Sequence, residues 1–185
     1  MRMFLSINLS KEIVAELSRL QHAIRSNLSP VDKLLLVKPE SIHLTLKFFA
    51  DVDKSKLPQI LDALRSVALD VEKFSIDTDK LNYFTAPNGR PRVVFLSFKK
   101  SVQLSKLHED IGLKLAPLGF NKDEFKSHAT LFRVKFLRDK FRLIEILKHV
   151  KVEPLKLEIN SIELFESVLM ESGPTYTLIE KFELK

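Results

Sequence analysis

The stretch Ser41-Ile42-His43-Leu44-Thr45-Leu46-Lys47-Phe48-Phe49, written SIHLTLKFF, decides how the rest of this chain is read. Ile42, Leu44, Leu46 and Phe48 alternate with His43, Thr45 and Lys47, the period of a strand with one buried face. That alternation assigns Phe48 to the core. The other face carries an imidazole and a hydroxyl two residues apart, which point the same way from a strand.

The pattern occurs twice. Lys126-Ser127-His128-Ala129-Thr130-Leu131-Phe132-Arg133 (KSHATLFR) carries a second His-x-Thr-Leu. With five histidines and six threonines in the chain, two such pairs by accident is roughly a one-in-a-hundred event. Two imidazoles that titrate near neutrality can hold opposite protonation states, one as general acid and one as general base. Each threonine offers its hydroxyl to a phosphoryl oxygen where charge accumulates. His43, His128, Thr45 and Thr130 therefore suit a phosphodiester gripped from both sides. Arg133 adds a fixed cation, provided the strand bulges or ends there, because strict alternation from His128 faces Thr130 and Phe132 to the site and Arg133 away. On the same alternation Phe132 is the stronger candidate to stack on a base, and Phe48 packs in the core.

The motifs sit at equivalent places in a repeated order of elements. Phe4–Asn8 reads as a strand, Lys11 to about Asn27 as a helix capped by Ser10, Leu57–Leu69 as a helix and Phe74–Leu81 as a strand. The turn-rich Thr85–Pro91 follows as the candidate boundary. The second half reads as a strand at Arg92–Phe98, a helix at Val102–Ala116, a strand region at Phe125–Phe136, a helix at Phe141–Val150 and strands at Leu155–Phe165 and Tyr176–Phe182. The expected fold is α+β, a duplicated two-lobe domain with pseudo-two-fold symmetry, antiparallel sheets lining a central cleft and helices outside. The lobes divide at about 1–86 and 87–185, with strand exchange between them allowed.

Composition bounds the function classes. Of 185 residues 45% are hydrophobic, enough for a core, and no apolar run approaches the ~18 residues of a membrane span. The opening MRMFLSINLS turns polar too early for a signal-peptide core. The absence of cysteine excludes disulfides, thiolate catalysis and zinc-thiolate sites, and fits a reducing compartment. A net charge of +6 favours anionic partners once a phosphate site is present. Two histidines without a third ligand make a poor zinc site, so no metal or cofactor is expected. His22, His108 and His149 fall on helices among polar residues and are expected to face solvent.

These motifs resemble the two-histidine phosphoesterase superfamily, and within it the RNA 2′,3′-cyclic phosphodiesterases, historically called 2′-5′ RNA ligases. Phe4-Leu5-Ser6-Ile7 resembles the opening strand of that family, and His43-Leu44-Thr45-Leu46-Lys47-Phe48 its first motif. Arg90-Pro91-Arg92-Val93-Val94 resembles its mid-chain strand entry. His128-Ala129-Thr130-Leu131-Phe132-Arg133 matches its second motif with the trailing arginine. Leu164-Phe165-Glu166-Ser167 and Gly173-Pro174-Thr175-Tyr176 resemble its C-terminal signature. The chain departs from the family at Phe49-Ala50, where Leu-Gly is common, and at Ser127, where Pro is common. The resemblance implies metal-independent hydrolysis of RNA 2′,3′-cyclic phosphate ends to a 2′-phosphate. In it His43 is the acid, His128 the base, and Thr45, Thr130 and Arg133 the phosphate clamp, with Arg90 and Arg92 on flanking phosphates. The implied partner is RNA with cyclic-phosphate or 2′-phosphate ends, tRNA-like fragments included, acted on in the cytoplasm by a monomer away from membranes. The alternatives are a 2′-5′ ligase, a phosphodiesterase on small cyclic or 2′-5′ nucleotides, and a non-catalytic RNA-binding module.

Overall fold

Alternating stretches form strands and 3.6-periodic ones form helices. The computed structural model describes residues 1–121, 123–170 and 173–185. The order of elements is β1 (Met3–Asn8), α1 (Lys11–Ser26), β2 (Lys33–Leu36), β3 (His43–Phe49), α2 (Leu57–Asp70), β4 (Phe74–Thr85) and β5 (Pro91–Phe98), followed by α3 (Val102–Leu115), β6 (His128–Phe136), α4 (Lys140–His149), β7 (Lys156–Ile159), β8 (Ser161–Met170) and β9 (Gly173–Glu183). Helix starts are chemically marked. The Ser10 and Ser101 hydroxyls accept from the amides of Ile13 and Leu104, and the Asp139 carboxylate accepts from Phe141 N at 2.8 Å. Helix α1 buries Ile13, Leu17, Leu20 and Ile24, one stripe at helical spacing.

The strands run β7-β4-β5-β6-β3-β1-β8-β9, with β2 also on β6, and all pairings are antiparallel. The two motif strands are therefore neighbours at the centre, joined edge to edge at Leu44 opposite Ala129. Beyond β3 lie β1, β8 and β9; beyond β6 lie β5, β4 and β7. Strand β4 thus leaves the first half of the chain for the second motif's side, and β8 and β9 make the reverse exchange. This is an α+β fold with a duplicated antiparallel arrangement.

Some local expectations change. Thr85–Pro91 is the tip of the β4–β5 hairpin, where Ala86 N donates to Arg90 O at 2.8 Å and Gly89 N to Ala86 O at 2.9 Å. Gly89 sits at φ 71°, which explains a glycine there. The single strand expected over Leu155–Phe165 is two, because Leu157 and Ile159 pair with β4 while Leu164 and Phe165 pair with β1. His108 is buried rather than solvent-facing, stacked on Phe125 with ring centroids 4.5 Å apart.

Helices and strands of both halves share one core on one face of the sheet. Leu5, Ile7, Leu44, Ala129 and Leu131 are buried there against Leu17, Leu20, Ile60, Leu107 and Leu143. No described helix is long and apolar enough to cross a membrane.

Candidate active site

Leu44 and Ala129 face the core and pair with each other, so the residues flanking them face the opposite side of the sheet. Those residues are His43, Thr45, His128 and Thr130. The pairing sets the two His-x-Thr motifs antiparallel about a local two-fold axis.

Each histidine is held by the same local device. His43 Nδ1 lies 2.9 Å from Ser41 O, and His128 Nδ1 lies 2.7 Å from Lys126 O. A carbonyl can only accept, so Nδ1 carries the hydrogen and Nε2 is the bare nitrogen in both rings. Phe4 stacks on His43 at 4.5 Å, with Tyr176 edge-on at 5.7 Å. Phe84 and Phe95 meet the His128 ring edge-on at 5.0 and 5.2 Å.

This apolar packing sets the charge state. Burial lowers the His43 pKa to about 4, the Ser41 carbonyl opposes that, and repulsion from His128 adds to it. Burial also lowers His128, against the pull of the Lys126 carbonyl. Burial raises the Tyr176 hydroxyl, and the Arg133 charge opposes it. Both imidazoles are therefore neutral near pH 7.

A stability consequence follows. The unfolded chain binds more protons at His43 than the folded one between pH about 4 and the ordinary ~6.5. The free energy of unfolding should therefore fall as pH drops through that window. Urea midpoints measured from pH 7 to pH 5 are expected to decline in the wild type and to decline less in His43→Gln. Parallel slopes would remove the neutral, buried assignment of this ring.

Both motif strands carry a β-bulge at the same place. Leu5 pairs with Lys47 and Ser6 with Thr45, which leaves Leu46 as the extra residue of β3. Val94 pairs with Phe132 and Phe95 with Thr130, which leaves Leu131 as the extra residue of β6. Beyond each bulge the facing is the reverse of strict alternation.

Two expectations are corrected by this. Phe132 is 1% exposed in the core and does not face the site, so it stacks on no ligand. Phe48, expected in the core, is 63% exposed on the His43 side, 6.0 Å from the Phe4 ring. Lys47 takes the buried position instead, 5% exposed, with Nζ 2.7 Å from Asn121 O and 2.9 Å from the Asp123 carboxylate.

Arg133 turns to the face of His128 and Thr130 and stands exposed. Arg90 lies at the exposed hairpin tip. Arg92 is the extra, exposed residue of β5 beside that tip, between Pro91 opposite Thr85 and Val93 opposite Phe84. The rings of Phe4, Phe84, Phe95 and Tyr176 belong to the site and were not identified from the sequence. They arrive from four different strands, and only Phe4 and Tyr176 fall in segments with a motif-level signal. The Ser6 hydroxyl, opposite Thr45, is buried without a partner among the described residues. No three His, Cys, Asp or Glu side chains gather at metal spacing among the described residues.

The chain matches the family described as LigT like Phosphoesterase over residues 7–95 and 98–176. It belongs to that family. Among its relatives, the RNA 2′,3′-cyclic phosphodiesterase of Methanothermobacter thermautotrophicus is 32% identical, with 99% of this chain and 98% of the relative covered. The Archaeoglobus fulgidus protein of the same name is 31% identical, with 99% of this chain and 100% of that protein covered. Among solved family folds, TT0787 of Thermus thermophilus superposes with a TM-score of 0.81 at 28% identity, over 100% of this chain and 98% of that one. Escherichia coli LigT complexed with NADP+ shares the fold, with a TM-score of 0.73 at 20% identity over 99% and 97% of the two chains.

Proposed function

We propose that this phosphoesterase opens RNA 2′,3′-cyclic phosphate ends to a 2′-phosphate, in the cytoplasm and without a metal ion. The observation that carries the reading is the meeting of two His-x-Thr motifs on one sheet face, each imidazole fixed through Nδ1 with its Nε2 bare. The relatives named for this activity align over nearly the whole chain.

Thr45, Thr130 and Arg133 hold the phosphate, and Phe48, taking the role expected of Phe132, stacks on the terminal base. The bound anion restores a proton to His43. His128 Nε2 takes a proton from water as its oxygen bonds to phosphorus. The bond from phosphorus to O3′ breaks, and His43 gives its proton to O3′. The products are a 2′-phosphomonoester and a free 3′-hydroxyl, and the pair ends with its proton moved from His43 to His128. Acid, base and anion donors are all side chains of this chain, which is what supports a metal-free step. The deeper burial of His43 favours a second reading in which the two histidines exchange roles.

The test is incubation with an oligonucleotide ending in a 2′,3′-cyclic phosphate, with EDTA present, and identification of the product end. Conversion to a 2′-phosphate is expected. No conversion would sink the reading, and inhibition by EDTA would replace it with a metal-assisted one.

A further inference from the structure

The proposed site holds one phosphate, but an RNA end brings its upstream nucleotides too, and the two flanks of the site differ in charge. Strand β2 takes over from β3 along the same edge of β6. It pairs Leu35 with Arg133 and Lys33 with Phe136, so all four share the face of His128. The register shift between Lys33 and Leu34 makes Lys135 the extra, exposed residue of β6. Leu35 is 53% and Phe136 49% exposed, and Lys33, Arg133 and Lys135 are exposed beside them.

Segments 31–38 and 133–138 contain the cations Lys33, Lys38, Arg133, Lys135 and Arg138, with Asp32 as their one anion. Asp32 is buried and occupied, accepting from the amides of Ser29 and Arg138. None of the five cations forms an ion pair among the described residues, whereas Arg19 and Arg65 do. The other flank has no such row: on the His43 face β8 and β9 carry the buried Glu163, bonded to Asn8, and the Lys181–Glu183 ion pair, while Glu180 faces the helices and pairs with Arg65. A polyanion leaving the site is attracted to the unpaired cations on this side and meets none on β8 or β9.

We infer that the β2–β6 ribbon is the track for the RNA strand upstream of the reacting phosphate. Lys135 and Lys33 contact its backbone beyond the phosphate held at Arg133, and Phe136 offers a ring to a base. Basic residues interleaved with exposed apolar and aromatic ones are the chemistry of single-strand binding without sequence readout. From Thr130 to Phe136 the strand covers about 20 Å at ~3.3 Å per residue, room for a few nucleotides. The inference rests on the phosphodiesterase reading for which end sits in the cleft, but its test does not need turnover.

The test uses a 5′-labelled pentaribonucleotide ending in a 2′-phosphate, titrated by fluorescence polarisation at several salt concentrations. The double variant Lys33→Ala/Lys135→Ala is expected to bind at least ~10-fold more weakly at low salt. Its slope of log affinity against log salt should shrink by about 1.4, since each lost phosphate contact on a single strand removes ~0.7. Phe136→Ser is expected to weaken binding with the slope unchanged. Lys181→Ala, on the opposite flank, should leave both unchanged. Wild-type affinity and slope in the double variant, or equal losses in Lys181→Ala, would overturn the track. A protein that binds the pentamer in this way yet converts no cyclic phosphate would retain the track and lose the phosphodiesterase reading.

Discussion

Replacing His43 or His128 by alanine is expected to lower kcat on a cyclic-phosphate oligonucleotide by at least ~100-fold, the scale of a lost general acid or base. The double variant should be little worse than the poorer single one, because acid and base act in one step and their losses do not add. A variant with near-normal turnover would refute the role of its residue. The assignment of acid and base is separable in the same system. A substrate with sulfur in place of O3′ departs without protonation, so it should rescue the variant that lacks the acid and not the one that lacks the base. Rescue of His43→Ala supports the assignment made here. Rescue of His128→Ala instead would exchange the roles, the second reading given above.

Phe132→Ala is expected to cost about 3–5 kcal/mol of stability, the usual range for a phenylalanine truncated in a core. Residual folded protein should keep its KM. Phe48→Ala should do the reverse. Its ring is largely exposed, so stability should stay within about 0.5 kcal/mol. The loss of a base-stacking ring, worth about 1–3 kcal/mol, should appear in KM. Denaturant melts of both variants beside their kinetics decide the matter. A stable Phe132→Ala with a raised KM would reinstate Phe132 as the stacking residue and contradict the bulged register of β6.

The contrast between these two phenylalanines shows where the sequence was readable. The His-x-Thr pairs were legible because residues i and i+2 of any strand share a face, and because the spacing of elements repeats. Whether Arg133 faced the site hung on a bulge, and a bulge belongs to a pair of strands. Leu131 is an extra residue only by comparison with Val94 and Phe95, and nothing in KSHATLFR itself marks it. The same holds for Leu46 between Thr45 and Lys47. The rings around the histidines were unreadable for a different reason, since Phe4, Phe84, Phe95 and Tyr176 are brought together by strand order. Lys33–Leu36 lacks alternation, which hid β2, and with it the basic flank of the cleft.

The two bulges carry one more consequence. In the first motif the residues after the bulge are a buried cation and an outward ring, Lys47 and Phe48. In the second they are a buried ring and an outward cation, Phe132 and Arg133. A pair of histidines related by a true dyad would accept a phosphodiester head-first or tail-first with equal energy, and half of all encounters would be unproductive. On the function proposed here, the inverted pair lifts that degeneracy. A stacking difference of about 1–3 kcal/mol between the two directions is a preference of roughly 5- to 150-fold for one of them, at ~1.4 kcal/mol per factor of ten. The duplicated backbone supplies matched chemistry on both sides, and the exchange of one ring for one cation gives that chemistry a direction.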